Sequence, residues 1–221
     1  MYYTSARRHQ GDMTPSLLPA FLKGFALSAG LIIAIGAQNM FVLRQGLKRE
    51  HVVPIVLFCA AADATLIVAG VSGLGGVLAL LPGLSLALSL GGAAFLGWYG
   101  VSALRRAAKP SALIVERQTT MTLGAALAGT AAFTFLNPHV YIDTVMLMGA
   151  VGAGLPPMER PLFMAGAALA SLAWFSSLGL GARFLAPLFS RPAAWRVLDL
   201  GIGAMMLVLA SSLVHAAVLA G

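Results

Sequence analysis

Apolar residues in this chain gather in six runs, each long enough to form a helix that crosses a membrane. The runs cover residues 17–43, 52–72, 84–104, 121–151, 162–182 and 197–219. A transmembrane helix needs about 20 apolar residues to cross a hydrocarbon core of about 30 Å. The pattern therefore predicts an all-α protein, a polytopic membrane helix bundle with six transmembrane helices in a single domain over residues 1–221. The third run is the weakest because Pro82 and Gly83 crowd its start, and a bundle of five spans is the alternative.

Polar and helix-breaking residues interrupt the first and the fourth run. Pro138 has no N–H group, so a helix breaks or kinks there, and Asn137 before it is pushed toward an extended backbone. Asn137 is then expected to cap a new half-helix that begins at Pro138. The sequence Gly36-Ala37-Gln38-Asn39 can form a similar break without a proline. Free amides at such helix starts bind carboxylates, although kinked packing helices with hydrogen-bonded amides are the structural alternative.

The six runs divide into two halves of three. A basic linker over residues 105–120, expected in the cytoplasm, joins residues 17–104 to residues 121–221, and residues 1–16 form an N-terminal extension. Because three is odd, the second half enters the membrane from the opposite side. This arrangement predicts a 3+3 inverted repeat with interrupted first and fourth helices, which is typical of transporters that bind a substrate at the membrane midplane. The last span of each half is rich in glycine, which favours close helix packing; these residues are Gly91, Gly92, Gly97 and Gly100 in one half, and Gly201 and Gly203 in the other.

Charges follow the predicted spans. Only 10% of the residues are charged and 59% are hydrophobic, too few charges for a soluble surface, while the net charge is +7. Lysine and arginine cluster after the first, third and fifth spans, which places these loops in the cytoplasm and both termini outside. Arg7, Arg8 and Lys23 oppose this orientation, and a second candidate start at Met13 would remove the first two. No basic patch with interleaved aromatic residues exists outside the loops, so membrane lipid rather than nucleic acid is the expected partner.

Three of the seven acidic residues fall inside predicted spans, namely Asp63, Asp143 and Asp199. Each costs about 2.5–3.5 kcal/mol at the centre of a bilayer-spanning helix. Lysine and arginine are expected only in the loops and near span entrances, so no basic partner is predicted inside the bundle. Such acids suit a cationic ligand or a proton relay. Asp199 also has a structural explanation, because it lies one turn from Arg196 and can pair with it.

His139 lies four residues before Asp143 and therefore shares a helix face with it. An imidazole beside a carboxylate can carry protons near physiological pH, whereas a neutral, hydrogen-bonded histidine at a helix interface is the alternative. The other histidines show no ligand spacing, so neither a metal nor another cofactor is predicted. The single cysteine, Cys59, falls inside the second span and is expected to be an ordinary small apolar residue.

Two stretches of the chain resemble the LysE/ArgO exporters of basic amino acids. They are residues 35–46, Ile-Gly-Ala-Gln-Asn-Met-Phe-Val-Leu-Arg-Gln-Gly, with residues 48–51 after them, and residues 135–144, Phe-Leu-Asn-Pro-His-Val-Tyr-Ile-Asp-Thr. Asp63 and the sequence Asp199-Leu200-Gly201 also resemble the family, and the similarity covers nearly the whole chain from Met13. The resemblance implies a bacterial inner-membrane protein, not an enzyme, that exports L-lysine, L-arginine or related cations and is driven by the proton-motive force.

These observations assign two sets of site residues. The substrate, a basic amino acid, is expected to contact polar and helix-breaking residues of the two interruptions and two of the acids: Gln38, Asn39, Asp63, Asn137, Pro138 and Asp143. Proton coupling is assigned to titratable groups within the spans: Asp63, His139, Asp143 and Asp199. The oligomeric state, including a homo-oligomer, stays open.

Two alternatives to a basic amino-acid exporter follow from the same residues. Exporters of neutral amino acids or of cations on the same fold are the nearer one, although they fit the two motifs less well. An intramembrane serine protease of the rhomboid type is the more distant one, because Gly70-Val71-Ser72-Gly73 matches its short motif and His215 lies in the last span. In a chain with 25 glycines such a short match arises easily.

Overall fold

The computed structural model describes residues 17–33, 36–75, 82–108, 120–185 and 187–219, and this part of the chain is helical without any strand. The helices are α1 (Leu17–Ile32), α2 (Ala37–Lys48), α3 (Val52–Ala69), α4 (Pro82–Ala108), α5 (Leu123–Phe135), α6, α7 (Arg160–Gly181) and α8 (Pro192–Leu219). Helix α6 consists of the contiguous segments Pro138–Val140, Tyr141–Met148 and Gly149–Ala153, the second of which is π-helical. The predicted extension 1–16 and residues 109–119 of the linker lie outside the described residues. The all-α prediction is confirmed for the rest.

Four helices are long and apolar enough to cross a membrane: α3 with the π-helical turn Gly70–Leu74 that continues it, α4, α7 and α8. Helices α1 and α2 make a fifth span if they are taken together, with a bend of 83° between them. Helix α5 has 13 residues, too few to cross alone. The protein is thus a multi-pass membrane protein with four or five spanning helices in its described part, where the sequence pattern predicted six. The difference arises because the two interrupted runs are divided into shorter helices.

Helices α4 and α8, the last helices of the two halves, pack along each other. Helix α4 is continuous over 27 residues and begins at Pro82, since proline suits the first helical position. A Cβ atom on Gly203 would lie 2.5 Å from the side chain of Leu104, and one on Gly100 would lie 3.0 Å from Met206. Glycine therefore permits the close approach of these two helices, as predicted. The prediction does not extend to Gly91, Gly97 and Gly201, which have open space at the Cβ position.

Helices α3 and α6 cross with their backbones in contact. A Cβ atom on Gly70 would lie 2.5 Å from the carbonyl oxygen of Val145, and one on Gly149 would lie 2.7 Å from the backbone of Gly70. Helices α1 and α7 approach in a similar way, because Gly24 packs on the backbone of Phe163. Small residues at these crossings bring the first and second halves of the chain together.

A buried charge cluster joins three helices at another point. The carboxylate of Asp199 on α8 pairs with the guanidinium of Arg44 on α2 and lies 3.3 Å from that of Arg106 on α4. Asp199 is fully buried and Arg44 is 4% exposed. The expectations that no basic residue reaches the acids of the spans, and that Asp199 pairs with Arg196, were therefore wrong. Both relied on sequence spacing, whereas tertiary packing of α2, α4 and α8 supplies the partners.

Candidate functional site

A cavity of about 270 Å³ lies where the two helix interruptions meet. Most of its polar lining comes from α2, α3 and the start of α6, with Ser28 from α1, and apolar side chains of α1, α4, α7 and α8 complete the wall. The polar residues are Ser28, Gln38, Asn39, Asp63, Asn137, His139, Asp143 and Thr144. Six of the eight residues predicted to bind substrate or carry protons are thus brought together, and Pro138 lies between two of them in the chain. Asp199 is outside the cavity.

Helix α2 begins at the cavity, and no side chain among the described residues caps its first amides. Gly36 precedes it in an extended conformation and has no side chain that could cap the helix. The first hydrogen bond of the helix runs from the N–H of Met40 to the carbonyl of Gly36 at 3.2 Å, so the N–H groups of Ala37 and Gln38 have no acceptor within the helix. The side chain of Gln38 is 9% exposed, and its Nε2 has no hydrogen-bond partner among the described residues. Backbone and side-chain donors with a partial positive charge therefore face the cavity, an arrangement that suits an anion.

Asn39 ties the broken ends of the first run together. Its Nδ2 donates to the carbonyl of Ile32, the last residue of α1, at 2.9 Å. Its Oδ1 accepts from the indole N–H of Trp174 on α7 at 3.3 Å. The side chain thereby satisfies a carbonyl that the end of α1 would otherwise leave without a partner. We conclude that Asn39 fixes the position of the break, although it also lines the cavity.

The second interruption has the predicted local structure. Helix α5 ends at Phe135, Asn137 is extended, and its Oδ1 caps α6 by accepting from the N–H of His139 at 3.1 Å. Pro138 is the first residue of the new helix. The hydroxyl of Tyr141 donates to the carbonyl of Phe135 at 2.9 Å and so covers one carbonyl at the break. The start of α6 is therefore capped by Asn137, whereas no side chain among the described residues caps the start of α2.

The two carboxylates of the cavity have different surroundings. Asp63 on α3 is 8% exposed, and its Oδ2 accepts a hydrogen bond from the hydroxyl of the fully buried Ser171 at 2.6 Å. Asp143 on α6 is half-buried and makes neither a hydrogen bond nor an ion pair with any residue that the structure describes. His139 is exposed, and within the same residues its ring has no hydrogen-bond partner. Asp143 and His139 are thus the titratable groups of the cavity that remain open to a ligand.

Sequence reasoning missed two residues of the site, Ser171 and Trp174. They lie one turn apart on α7 and hold Asp63 and Asn39, respectively. The sequence offers one indication of their role: two side chains that can donate hydrogen bonds occur three residues apart within an apolar run, and so lie on one face of a helix. Serines are common in the spans of this chain, so that signal cannot distinguish Ser171 from the others.

The serine protease alternative gains no support. Ser72 and His215 are both exposed, and in the described ranges they share no hydrogen bond. The glycines of the short motif have another explanation, since Gly70 is needed at the crossing with α6 and Gly73 has a positive φ of 101°. The glycines of the Gly-x-Ser-Gly sequence are therefore explained by helix packing at Gly70 and by the backbone conformation at Gly73.

A multi-pass helical membrane protein with two broken runs around a small cavity that contains polar and charged groups is organised as a carrier of small molecules. The family model of the LysE type translocators matches residues 29–217, and the chain belongs to this family. The resemblance of the two motifs is thereby confirmed.

Among the relatives are proteins of Mycobacterium bovis and Mycobacterium tuberculosis that bear the name "Putative amino-acid transporter". Each is 45% identical over 177 residues, which cover 80% of this chain and 88% of the relative. No solved structure matches the chain significantly.

Proposed function

We propose that this chain exports a basic amino acid, lysine or arginine, across the bacterial inner membrane in exchange for protons. The observation that carries the proposal is the cavity, in which an uncapped helix start and two carboxylates face one small space. A basic amino acid carries one carboxylate and two cationic groups, so its charges complement these groups. Membership of the LysE type translocators and the names of the relatives support transport of an amino acid.

The carboxylate of the substrate is assigned to the start of α2. The backbone amides of Ala37 and Gln38 and the side-chain Nε2 of Gln38 are the donors there. This refines the prediction from the sequence, which shared the carboxylate between both interruptions. Asn137 is a weaker candidate, because its side chain already caps α6.

Proton exchange is assigned to Asp63 and Asp143, with His139 in the same cavity. Export of a net cation against an inside-negative potential costs about 2.3 kcal/mol per 100 mV, and entry of one proton for each cation cancels this cost. A carboxylate that binds either the substrate or a proton couples the two movements. We leave Asp199 out of this set, because its carboxylate pairs with two guanidinium groups outside the cavity.

The inverted repeat stays part of the proposal. Each half of the chain contains one broken run, and the last helices of the halves, α4 and α8, pack against each other, as a two-fold axis in the membrane plane would require.

Efflux from cells that lack their own basic amino-acid exporters tests the proposal. We expect expression of this chain to accelerate efflux of labelled lysine or arginine but not of threonine, and a protonophore to stop it. Asp63→Asn lowers the efflux severely while the protein still inserts, and Glu159→Gln, which changes an acid outside the cavity, leaves it unchanged. Preferred efflux of threonine would support the neutral amino-acid alternative, and normal export by Asp63→Asn would refute the role of Asp63.

A further inference from the structure

The two carboxylates of the cavity are not equivalent. Asp63 is nearly buried and held by a 2.6 Å hydrogen bond from Ser171. Asp143 is half-buried and has no protein partner within the described residues. One carboxylate is therefore fixed in place, and the other is free to follow a ligand. The surroundings of each indicate which part of an amino acid it meets.

Asp63 lies close to the start of α2. Ala37, the first residue of α2, belongs to the same buried cluster as Cys59 on α3, and the two helices are in contact. Asp63 follows Cys59 by four residues and so lies one turn away on the same face of α3. The carboxylate of Asp63 is thus next to the group that receives the substrate carboxylate.

Helix α7 gives a second, independent indication of the same proximity. Ser171 contacts Asp63, and Trp174, three residues later, contacts Asn39 in the first turn of α2. Residues three apart on a helix are neighbours on its surface. Asp63 and the first turn of α2 are therefore held within about one helical turn of each other along α7.

Asp143 belongs to a different level of the cavity. The backbone of Val145, two residues after Asp143, meets α3 and its π-helical continuation at Gly70. Gly70 lies seven residues beyond Asp63, which corresponds to about 10 Å along the helix axis. From the beginning of α3 toward its end, the start of α2 therefore lies beside the helix first, Asp63 follows, and the part of α6 that carries Asp143 comes last.

We propose that Asp63 binds the α-ammonium group and that Asp143 binds the side-chain ammonium or guanidinium group of the substrate. The α-ammonium and α-carboxylate share one carbon atom, so their partners must be adjacent, as Asp63 and the start of α2 are. The side-chain cation of lysine sits at the end of a flexible four-carbon stem and needs a partner further along the cavity. Asp63 thus binds the α-ammonium group, which all amino acids have, and Asp143 determines the preference for a basic side chain. This inference rests on the proposed function.

Proteoliposomes loaded with labelled L-lysine or L-norleucine provide the test, because norleucine has the same chain length without the ammonium group. We expect Asp143→Asn to lower the lysine-to-norleucine ratio of kcat/KM by about tenfold to a hundredfold, the effect of losing a hydrogen bond to a charged group. Norleucine efflux falls much less than lysine efflux, because norleucine has no side-chain cation for Asp143 to bind. Asp63→Asn lowers efflux of both substrates and leaves their ratio unchanged. Asp143→Glu, which keeps the carboxylate, is the matched control and retains the preference for lysine.

Each other outcome contradicts one of the two proposals. An unchanged ratio in Asp143→Asn, or loss of efflux for both substrates from a protein inserted at the wild-type level, overturns the assignment of Asp143. A ratio that changes in Asp63→Asn overturns the assignment of Asp63. Wild-type protein that prefers norleucine, or that moves neither amino acid, overturns the proposed export of basic amino acids instead.

Discussion

At the first helix interruption, two adjacent amide side chains have different tasks. Asn39 is bonded to Ile32 and Trp174, and it joins α1, α2 and α7. Gln38 faces the cavity with its Nε2 without a partner in the described part of the chain. The sequence could predict that both amides lie at a break, since a polar pair after glycine in an apolar run is unusual. It could not separate their roles, because the difference depends on an indole that lies 135 residues further along the chain.

Ser171 is expected to position Asp63 for the substrate. Ser171→Ala removes a hydrogen bond to a carboxylate, which contributes about 1.5–3 kcal/mol. We expect the KM for lysine and for norleucine to rise together by about tenfold, with a much smaller change in kcat. Ser171→Thr keeps a hydroxyl group and should restore the wild-type KM.

Ser211→Ala is the control for this measurement, because the hydroxyl of Ser211 is exposed and donates only to the carbonyl of Val208. An increase in KM for lysine alone would contradict the role of Ser171, since it would place Asp63 at the substrate side chain.

At the scale of elements, the break at Pro138 was predicted correctly because its cause is local. A proline cannot donate a backbone hydrogen bond, and an asparagine before it is a favourable cap, whatever the rest of the protein does. The number of membrane-spanning helices was harder to predict from the sequence than the break at Pro138. A run such as residues 121–151 has the length of one span, but its division into α5 and α6 depends on how the two pieces pack. The π-helical segment Tyr141–Met148, which carries Asp143, has no sequence signature of its own.

The crossing of α3 and α6 at Gly70 should not tolerate a side chain. In Gly70→Ala, the added Cβ would meet the backbone of Val145, which cannot move aside as a flexible side chain would. We expect the variant to lose about 1–3 kcal/mol of stability through overpacking, measured as a lower Tm in detergent.

Gly97→Ala is the matched control on α4, where a Cβ has open space. Alanine favours a helix over glycine by about 1 kcal/mol, so this variant should be as stable as the wild type or more stable. Equal Tm values for both variants would show that the backbone contact at Gly70 does not constrain the fold.

At the scale of the whole molecule, the cluster of Asp199, Arg44 and Arg106 connects helices from both halves of the chain. One carboxylate faces two guanidinium groups in a buried position, so removal of the carboxylate leaves like charges close together. Such a cluster is invisible in the sequence, because its members are separated by 93 and 155 residues. We infer that it holds the bundle together, in contrast to the acids of the cavity.

Asp199→Asn should therefore destabilise the protein without a specific effect on substrate preference. Breaking a buried ion pair by removing one partner costs about 3–5 kcal/mol. We expect a lower Tm in detergent and a lower membrane abundance, with an unchanged lysine-to-norleucine ratio for the protein that remains. Arg196→Ala is the control, because Arg196 is the sequence neighbour of Asp199 but is exposed. A comparable loss in Arg196→Ala would contradict the assignment of the stabilising pair.

The lone thiol of the protein has a practical consequence for studies of its motion. Cys59 is the only cysteine among 221 residues, and it is buried in the core on α3, four residues before Asp63. The unmodified chain therefore carries a single, native attachment point for a maleimide, with no competing sulfhydryl to remove. Reagents applied from either face of a vesicle will react there only when the bundle opens toward that face.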